Sequence, residues 1–235
     1  MIRYVYYGYG KKDKVGWGLL QDDDETVMEG TGDPWRGFVQ DKFTTDLSDV
    51  RLFRPLAPGQ IIEMDGPTML IKAPARTYGP NDKISLPRRV RQMIAFGKLG
   101  IIIGKKANQL AAAQASDCIL GYTGVLEFNA RNLHKSEIGC VFGPGIATQL
   151  DPSGLNIQLW VNDQPRSNLK IQLDIAQIVS QASQQRVLAP GDVVLSVPLP
   201  LLKDDFQTGL LYPGDVVQLK IEKIGKLNVL CSQSK

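Results

Sequence analysis

The stretches Ala189-Pro190-Gly191-Asp192-Val193-Val194-Leu195 and Tyr212-Pro213-Gly214-Asp215-Val216-Val217-Gln218 are two near-copies of one motif. In each copy, proline sets φ for a turn, glycine supplies a positive φ, and the valines favour a pleated, half-buried strand. The two copies therefore predict two turn-to-strand transitions in the last quarter of the chain.

Most of the remaining sequence is also typical of strands and turns. Apolar and polar residues alternate through the first 46 residues, and Pro55, Pro58 and Gly59 indicate a linker. Helices are predicted only over 107–116, which is rich in alanine and glutamine, and over 173–185. We expect a β-rich α+β protein with a small N-terminal β domain over 1–57 and a larger domain over 58–235.

Composition limits the classes of partner. The chain has 235 residues, of which 43% are hydrophobic, and a net charge of +3. This charge is too small to require a nucleic-acid partner, and the only dense basic run, Arg88, Arg89 and Arg91, is typical of a solvated face or an anion anchor.

The cysteines and the lengths of the apolar segments favour a cytoplasmic location. Cys118, Cys140 and Cys231 are odd in number and share no metal-ligand spacing, as expected of reduced cytosolic thiols. No apolar stretch is long enough to span a membrane. We expect a cytoplasmic protein that binds neither nucleic acid nor membranes.

Several further motifs follow one another in a particular order. They include Gly79 to Pro87, Leu99 to Lys105, Gly121-Tyr122-Thr123, Ala130-Arg131-Asn132-Leu133 and Ile221 to Asn228, together with the paired Pro-Gly-Asp turns. This series resembles the fumarylacetoacetate hydrolase family over nearly the whole chain. The resemblance implies an FAH-like mixed β-sandwich roll, a homodimer and a small-molecule carbonyl substrate.

The family's metal site is the main departure from this resemblance. Family enzymes hold magnesium or manganese with a Glu-x-Glu pair and an aspartate, and the ion polarises a 1,3-dicarbonyl or 2-oxo acid toward its enolate. Here the pair's positions carry Phe96 and Lys98, and the aspartate position carries Glu127. A phenyl ring cannot ligate a cation and an ammonium repels one, so we expect no metal cofactor.

Other parts of the family pattern are altered around the same pocket. The family's Asn-Tyr-x-x-His loop should follow Ile62, but the chain runs almost directly to Lys72. Val197 stands where the family has a threonine that contacts substrate. The segment after Arg131 is shortened, which leaves His134, the only histidine, in this region.

Three residues are the candidates for catalysis. Lys98 could stabilise an enolate oxygen, or it could form only a salt bridge with Glu127 that plugs a vestigial site. Arg131 could clamp a carboxylate or an enolate oxygen, or form a structural ion pair with Glu127 or Glu137. His134 could act as a general acid or base, or lie at the surface.

Substrate-binding roles are expected at seven further positions around this pocket: Lys72, Tyr78, Phe96, Tyr122, Glu127, Lys135 and Val197. Two classes of function then remain open. One is a metal-independent enzyme that isomerises, cyclises or cleaves an enolisable 1,3-dicarbonyl, 2-oxo acid or polyketide-like substrate. The other is a non-catalytic binding or partner subunit. The family's metal-dependent hydrolysis or decarboxylation, with ligands at other positions, is a third possibility.

Overall fold

The computed structural model describes residues 1–9, 15–72, 76–86, 88, 92–130, 137–196 and 210–233. Strands dominate this part of the chain. They are β1 Ile2–Gly8, β2 Val15–Leu20, β3 Thr26–Asp33, β4 Gly37–Asp46, β5 Arg51–Leu52, β6 Ile61–Asp65, β7 Thr68–Lys72, β8 Thr77–Tyr78, β9 Lys83–Leu86, β10 Met93–Ile103, β11 Ile119–Ala130, β12 Glu137–Thr148, β13 Asn156–Val161, β14 Gln164–Lys170, β15 Val193–Leu195, β16 Leu210–Leu211, β17 Val216–Ile221 and β18 Gly225–Gln233. The α-helices are α1 Ala112–Ala115 and α2 Ile175–Gln185, and short 3-10 helices cover Leu47–Asp49 and Ser116–Cys118.

The strands form two sheets that pack face to face. The larger sheet has the order β4-β3-β2-β1-β12-β11-β10-β15-β6-β7, and the smaller has the order β14-β13-β17-β18-β9. Most neighbours are antiparallel, whereas β15 with β6 and β18 with β9 are parallel. The β-rich α+β class and the mixed β-sandwich roll are therefore confirmed.

The two faces of the larger sheet have different neighbours. One face packs against the smaller sheet and α2, and it contributes residues such as Leu99, Ile101 and Leu126 to the main core. The opposite face carries a second apolar cluster that includes Ile102 and Val125. Because successive side chains of a strand point to opposite faces, residue parity decides which face each side chain joins.

The Pro-Gly-Asp turns lead into strands as predicted. Val193–Leu195 is β15 and Val216–Ile221 is β17. In each turn the aspartate carboxylate accepts the N–H of the residue two positions before the glycine, Ala189 or Tyr212. This local hydrogen bond makes the turn independent of distant contacts.

One helix is shorter than its composition predicts. The helix predicted over 107–116 is wrong in extent, because α1 covers only Ala112–Ala115. Ala107 instead exchanges two backbone hydrogen bonds with Leu188, at 3.0 and 2.8 Å. Tertiary pairing therefore overrides the helix propensity of this segment. The other predicted helix is confirmed as α2.

The N-terminal strands join the larger sheet. β1 pairs with β2 and also with β12, where Ile2 lies opposite Thr148. Hydrogen bonding thus crosses from the N-terminal strands to the rest of the chain, and the domain boundary near residue 57 stays a prediction. In the part of the chain that the structure describes, no helix is long and apolar enough to cross a membrane.

Candidate functional site

A tight hairpin positions the first pair of charged side chains. β6 and β7 pair from Asp65–Thr68 back to Ile61–Lys72, which leaves the two-residue loop Gly66-Pro67. Gly66 has φ +57°, a conformation that glycine adopts without steric cost. Glu63 shares a strand face with Ile61, and Lys72 lies directly opposite Ile61, so both charges project from the same face of the sheet.

Two long central strands supply the second pair. β10 and β11 are antiparallel, and Lys98 lies opposite Val125 while Phe96 lies opposite Glu127. Lys98 and Glu127 therefore project on the face that carries the second apolar cluster. Both are deeply buried, with 2% and 4% of their surfaces exposed.

Glu63, Lys72, Lys98 and Glu127 meet in one cluster, which we call the charged ring. Lys98 Nζ contacts Glu127 Oε2 at 2.5 Å and also donates to Glu63 Oε1. Lys72 Nζ contacts Glu63 Oε2 at 2.8 Å and also pairs with Glu127 Oε1. Each ammonium thus bridges both carboxylates, and all four carboxylate oxygens are engaged.

A neutral side chain completes the ring. Asn129 Nδ2 donates to Glu127 Oε1 at 2.9 Å. Asn129 lies two residues after Glu127 on β11, so the pleat brings both side chains to the same face. Buried charges are tolerated when they are paired and hydrogen-bonded, and the ring meets this condition.

The contacts also keep Glu127 and Lys72 ionised. Burial would raise the pKa of Glu127, but the charge of Lys98 and hydrogen bonds from Lys72 and Lys98 lower it below the ordinary value of 4.5. Burial would lower the pKa of Lys72, but hydrogen bonds to Glu127 and Glu63 raise it well above its ordinary value. Glu127 is therefore an anion and Lys72 a cation at neutral pH.

These residues do not fit a magnesium or manganese ion. Such ions take several oxygen ligands, and within the described ranges no group of three His, Cys, Asp or Glu side chains is placed to hold a metal. The carboxylates of Glu63 and Glu127 are already neutralised by ammonium groups. A dication at this position would have to displace both lysines.

The predicted site residues divide into three groups. Lys72, Lys98 and Glu127 come together in the ring, and Phe96 pairs with Glu127 on the same sheet face. Tyr78 packs partly buried against the main core, and Tyr122 lies on the opposite face of β11. Arg131, His134, Lys135 and Val197 lie outside the described residues.

Sequence reasoning missed Glu63 and Asn129. Glu63 stands between buried residues in β6, and a charge within an apolar strand was the available signal. Its partner Lys72 lies in the next strand, but its partner Lys98 is 35 positions away in sequence, so the strand pattern alone did not identify the cluster.

Comparison with known proteins agrees with this fold. The fumarylacetoacetate (FAA) hydrolase C-terminal family matches residues 56–230. Protein Rv2993c of Mycobacterium tuberculosis is 31% identical over 214 residues, which cover 77% of this chain and 78% of that protein. The chain belongs to the fumarylacetoacetate hydrolase family.

Solved structures of two isomerases superpose over the full length. The 2-hydroxyhepta-2,4-diene-1,7-dioate isomerase from Mycobacterium marinum has a TM-score of 0.86 and 26% identity, and covers 100% of this chain and 99% of its own. The 5-carboxymethyl-2-hydroxymuconate delta-isomerase from Mycobacterium smegmatis has a TM-score of 0.83 and 26% identity, and covers 99% of this chain and 100% of its own. The neighbours of this chain therefore include enzymes of this family.

Proposed function

We propose that this protein is a metal-independent enzyme of the fumarylacetoacetate hydrolase family. Its substrate is an enolisable 1,3-dicarbonyl, 2-oxo acid or polyketide-like compound, and its reaction is an isomerisation, a cyclisation or a C–C bond cleavage. The observation that carries the proposal is the charged ring, because two of its members, Lys98 and Glu127, occupy positions that correspond to the family's metal ligands.

The charges of the ring support the proposal that its two ammonium groups replace the family's metal ion. Lys72 and Lys98 together carry a charge of +2, equal to that of the family's cation, and Glu63 and Glu127 hold them as acidic ligands hold a metal. Fixed ammonium groups in a buried site stabilise negative charge that develops on a substrate oxygen. They do so without the cost of reorienting water.

The lysines of the ring also have the capacity to donate hydrogen bonds to a substrate. An ammonium has three N–H donors, and each lysine spends two of them on the glutamates. No other acceptor among the described residues takes the third N–H of either lysine, and we assign it to an enolate or carbonyl oxygen. Arg131 and His134 remain the proposed oxyanion clamp and general acid/base.

The proposed chemistry is tested by proton exchange at the carbon between two carbonyl groups. The probe is 2,4-dioxopentanoate, which is both a 1,3-dicarbonyl and a 2-oxo acid, and NMR in D2O measures its deuteration. We expect the protein to accelerate exchange equally with and without EDTA. Loss of exchange on EDTA treatment and recovery with manganese would support the metal-dependent activity instead.

Substitutions in the charged ring test whether the ring causes the acceleration of proton exchange. Lys98→Met should slow exchange by about a hundredfold, as expected when one preorganised donor is removed. The double variant Lys98→Met/Glu127→Gln keeps the ring neutral and should be equally slow while remaining folded. Lys226→Met, an exposed lysine on β18, should exchange at the wild-type rate.

A non-catalytic subunit is the second candidate, and the closure of the ring favours it. All four carboxylate oxygens have a lysine partner, so the cluster satisfies itself without a ligand. In that case the wild-type protein would show no exchange with any enolisable probe, and Lys98→Met would change stability alone.

We also propose that the protein is a homodimer, on the basis of its family. Sedimentation at micromolar concentration should give about twice the chain mass of 25.9 kDa. A single species at the monomer mass would contradict this assembly.

A further inference from the structure

A cavity of about 580 Å³ lies at the other end of β11 from the charged ring. Its walls come from the start of β11, the segment after β12 and the start of α2. The lining residues are Ser116, Ile119, Leu120, Gly121, Tyr122, Gln149, Leu150, Asp151, Pro152, Ser153, Leu173, Asp174, Ile175 and Ala176. This volume falls within the usual range for small-molecule sites, and we call it the Tyr122 cavity.

Tyr122 is a candidate ligand contact because no described residue uses its hydroxyl. Only 8% of the residue is exposed, and it lines the cavity. No other described residue forms a hydrogen bond with its hydroxyl, and the hydroxyl is not among the fully buried, unsatisfied polar atoms, so it is accessible from the cavity. Burial, together with the charge of Asp151, raises the pKa of Tyr122 to about 12, so the phenol stays neutral at physiological pH.

Two carboxylates give the cavity its charge. Asp151 accepts the N–H of Ser153 at 2.9 Å, and Asp174 caps α2 by accepting the N–H of Gln177 at 2.9 Å. Each carboxylate is held in place and keeps further lone pairs for a ligand. Hydrogen bonds from Ser153, with a smaller contribution from the charge of Lys223, lower the pKa of Asp151, so it is ionised at neutral pH.

The composition of the walls selects the kind of ligand. Among the described residues, the lining contains two aspartates and no lysine, arginine or histidine. Lys223 is exposed and lies outside the lining. The rest of the lining combines polar residues such as Ser116, Gln149 and Ser153 with an apolar wall that includes Ile119, Leu150 and Leu173. An anion would be repelled here, and a small inorganic cation would leave the apolar walls unused.

We propose that the Tyr122 cavity binds a small primary amine with an apolar body. Its ammonium group donates to Asp151 and to the oxygen of Tyr122, and its hydrocarbon part packs on the apolar wall. Tyr122 and Glu127 are five residues apart on one strand, or roughly 17 Å. They also project from opposite faces of the sheet, so the cavity is distinct from the charged ring.

The test uses 2-phenylethylamine as the probe, with 2-phenylethanol and phenylacetate as matched neutral and anionic compounds. Amide NMR titration measures affinity and shows where each compound binds. We expect the amine to bind with shifts at residues 119–122, 149–153 and 173–176, and the other two compounds to bind at least tenfold more weakly. Equal affinity for the amine and the alcohol would overturn the proposal.

Three single substitutions locate the contact. Asp151→Asn keeps the shape and the bond from Ser153 but removes the charge, and should weaken amine binding by about tenfold or more. Tyr122→Phe should weaken it by about two- to tenfold. Asp163→Asn makes the same change in the β13–β14 turn, outside the lining, and should leave the affinity unchanged. Unchanged affinity in both cavity variants, or an equal loss in Asp163→Asn, would contradict the proposed site.

Discussion

The two ends of β11 differ in whether their polar side chains have partners in the described structure. At the Glu127 end, both carboxylates of the charged ring are paired with both ammonium groups. At the Tyr122 end, a largely buried tyrosine lines a cavity, and no described residue forms a hydrogen bond with its hydroxyl. One strand thus combines a closed electrostatic network with an open binding surface.

The difference shows how polar groups are used in this fold. A satisfied buried network holds the strands that supply it in register, because removing any one member leaves an uncompensated charge. An unsatisfied hydroxyl at a cavity contributes little to stability and is available to a ligand. Substitutions at the two ends should therefore have very different effects on stability.

The largest effect is expected for Lys98→Met. Loss of this ammonium leaves an uncompensated negative charge in the ring, and breaking a buried pair in this way costs about 3–5 kcal/mol. Chemical denaturation measures the free energy of unfolding, and Lys226→Met provides the exposed-lysine control. A loss below about 1 kcal/mol would mean that the ring is not closed as described.

Removal of the partner charge should reverse part of that loss. Lys98→Met/Glu127→Gln leaves one cation, Lys72, and one anion, Glu63, so the ring is neutral again. We expect the double variant to be at least about 1 kcal/mol more stable than Lys98→Met, and the four proteins of the cycle give the coupling energy. Strictly additive effects would show that the two side chains do not interact.

The pH dependence of stability should follow the charges of the ring. The folded pKa of Glu127 is lowered, so its stabilisation is present above pH 4.5 and is lost as the pH falls through the folded pKa. The folded pKa of Lys72 is raised, so its stabilisation is complete below pH 10.5 and is lost at higher pH. Urea denaturation from pH 3 to 11 measures the acid limb and the beginning of the alkaline limb.

The same series distinguishes the ring from other titrating groups. Each proton contributes at most about 1.4 kcal/mol per pH unit. Lys98→Met/Glu127→Gln lacks the Glu127 carboxyl and should lose less stability than wild type in acid. Identical acid limbs would assign the wild-type loss to other carboxylates.

The smallest effect is expected for Tyr122→Phe. The substitution removes a hydroxyl without a described partner and keeps the ring that packs against the main core. We expect a change within about 0.5 kcal/mol in the absence of ligand. Tyr9→Phe is a contrasting control, because the Tyr9 hydroxyl donates to Glu29. A large loss for Tyr122→Phe would show that its hydroxyl has a structural partner.

The strands were the most predictable part of the molecule. The Pro-Gly-Asp turns that lead into β15 and β17 use local conformational preferences, so a short window of sequence is sufficient to recognise them. The segment at 107–116 was less predictable, since the backbone of Ala107 pairs with Leu188, about eighty positions away. Local propensity contains no information on such a partner.

The candidate site was only partly predictable. The sequence suggested that Lys98 could pair with Glu127, because both occupy positions of the family's metal ligands. It identified Lys72 only as a possible neighbour and missed Glu63. These side chains belong to four strands, and three of the four lysine–glutamate contacts of the ring join residues 29 to 55 positions apart.

By itself, the sequence determined the alternation of strands and turns and the family resemblance, and it predicted that the family's metal ligands are replaced. Only the tertiary structure decided which charges meet and that no described residue pairs with the Tyr122 hydroxyl. The physical reason is that strand formation depends on neighbouring residues, whereas the ring depends on the sheet order β7-β6-β15-β10-β11 and on the face that each side chain joins.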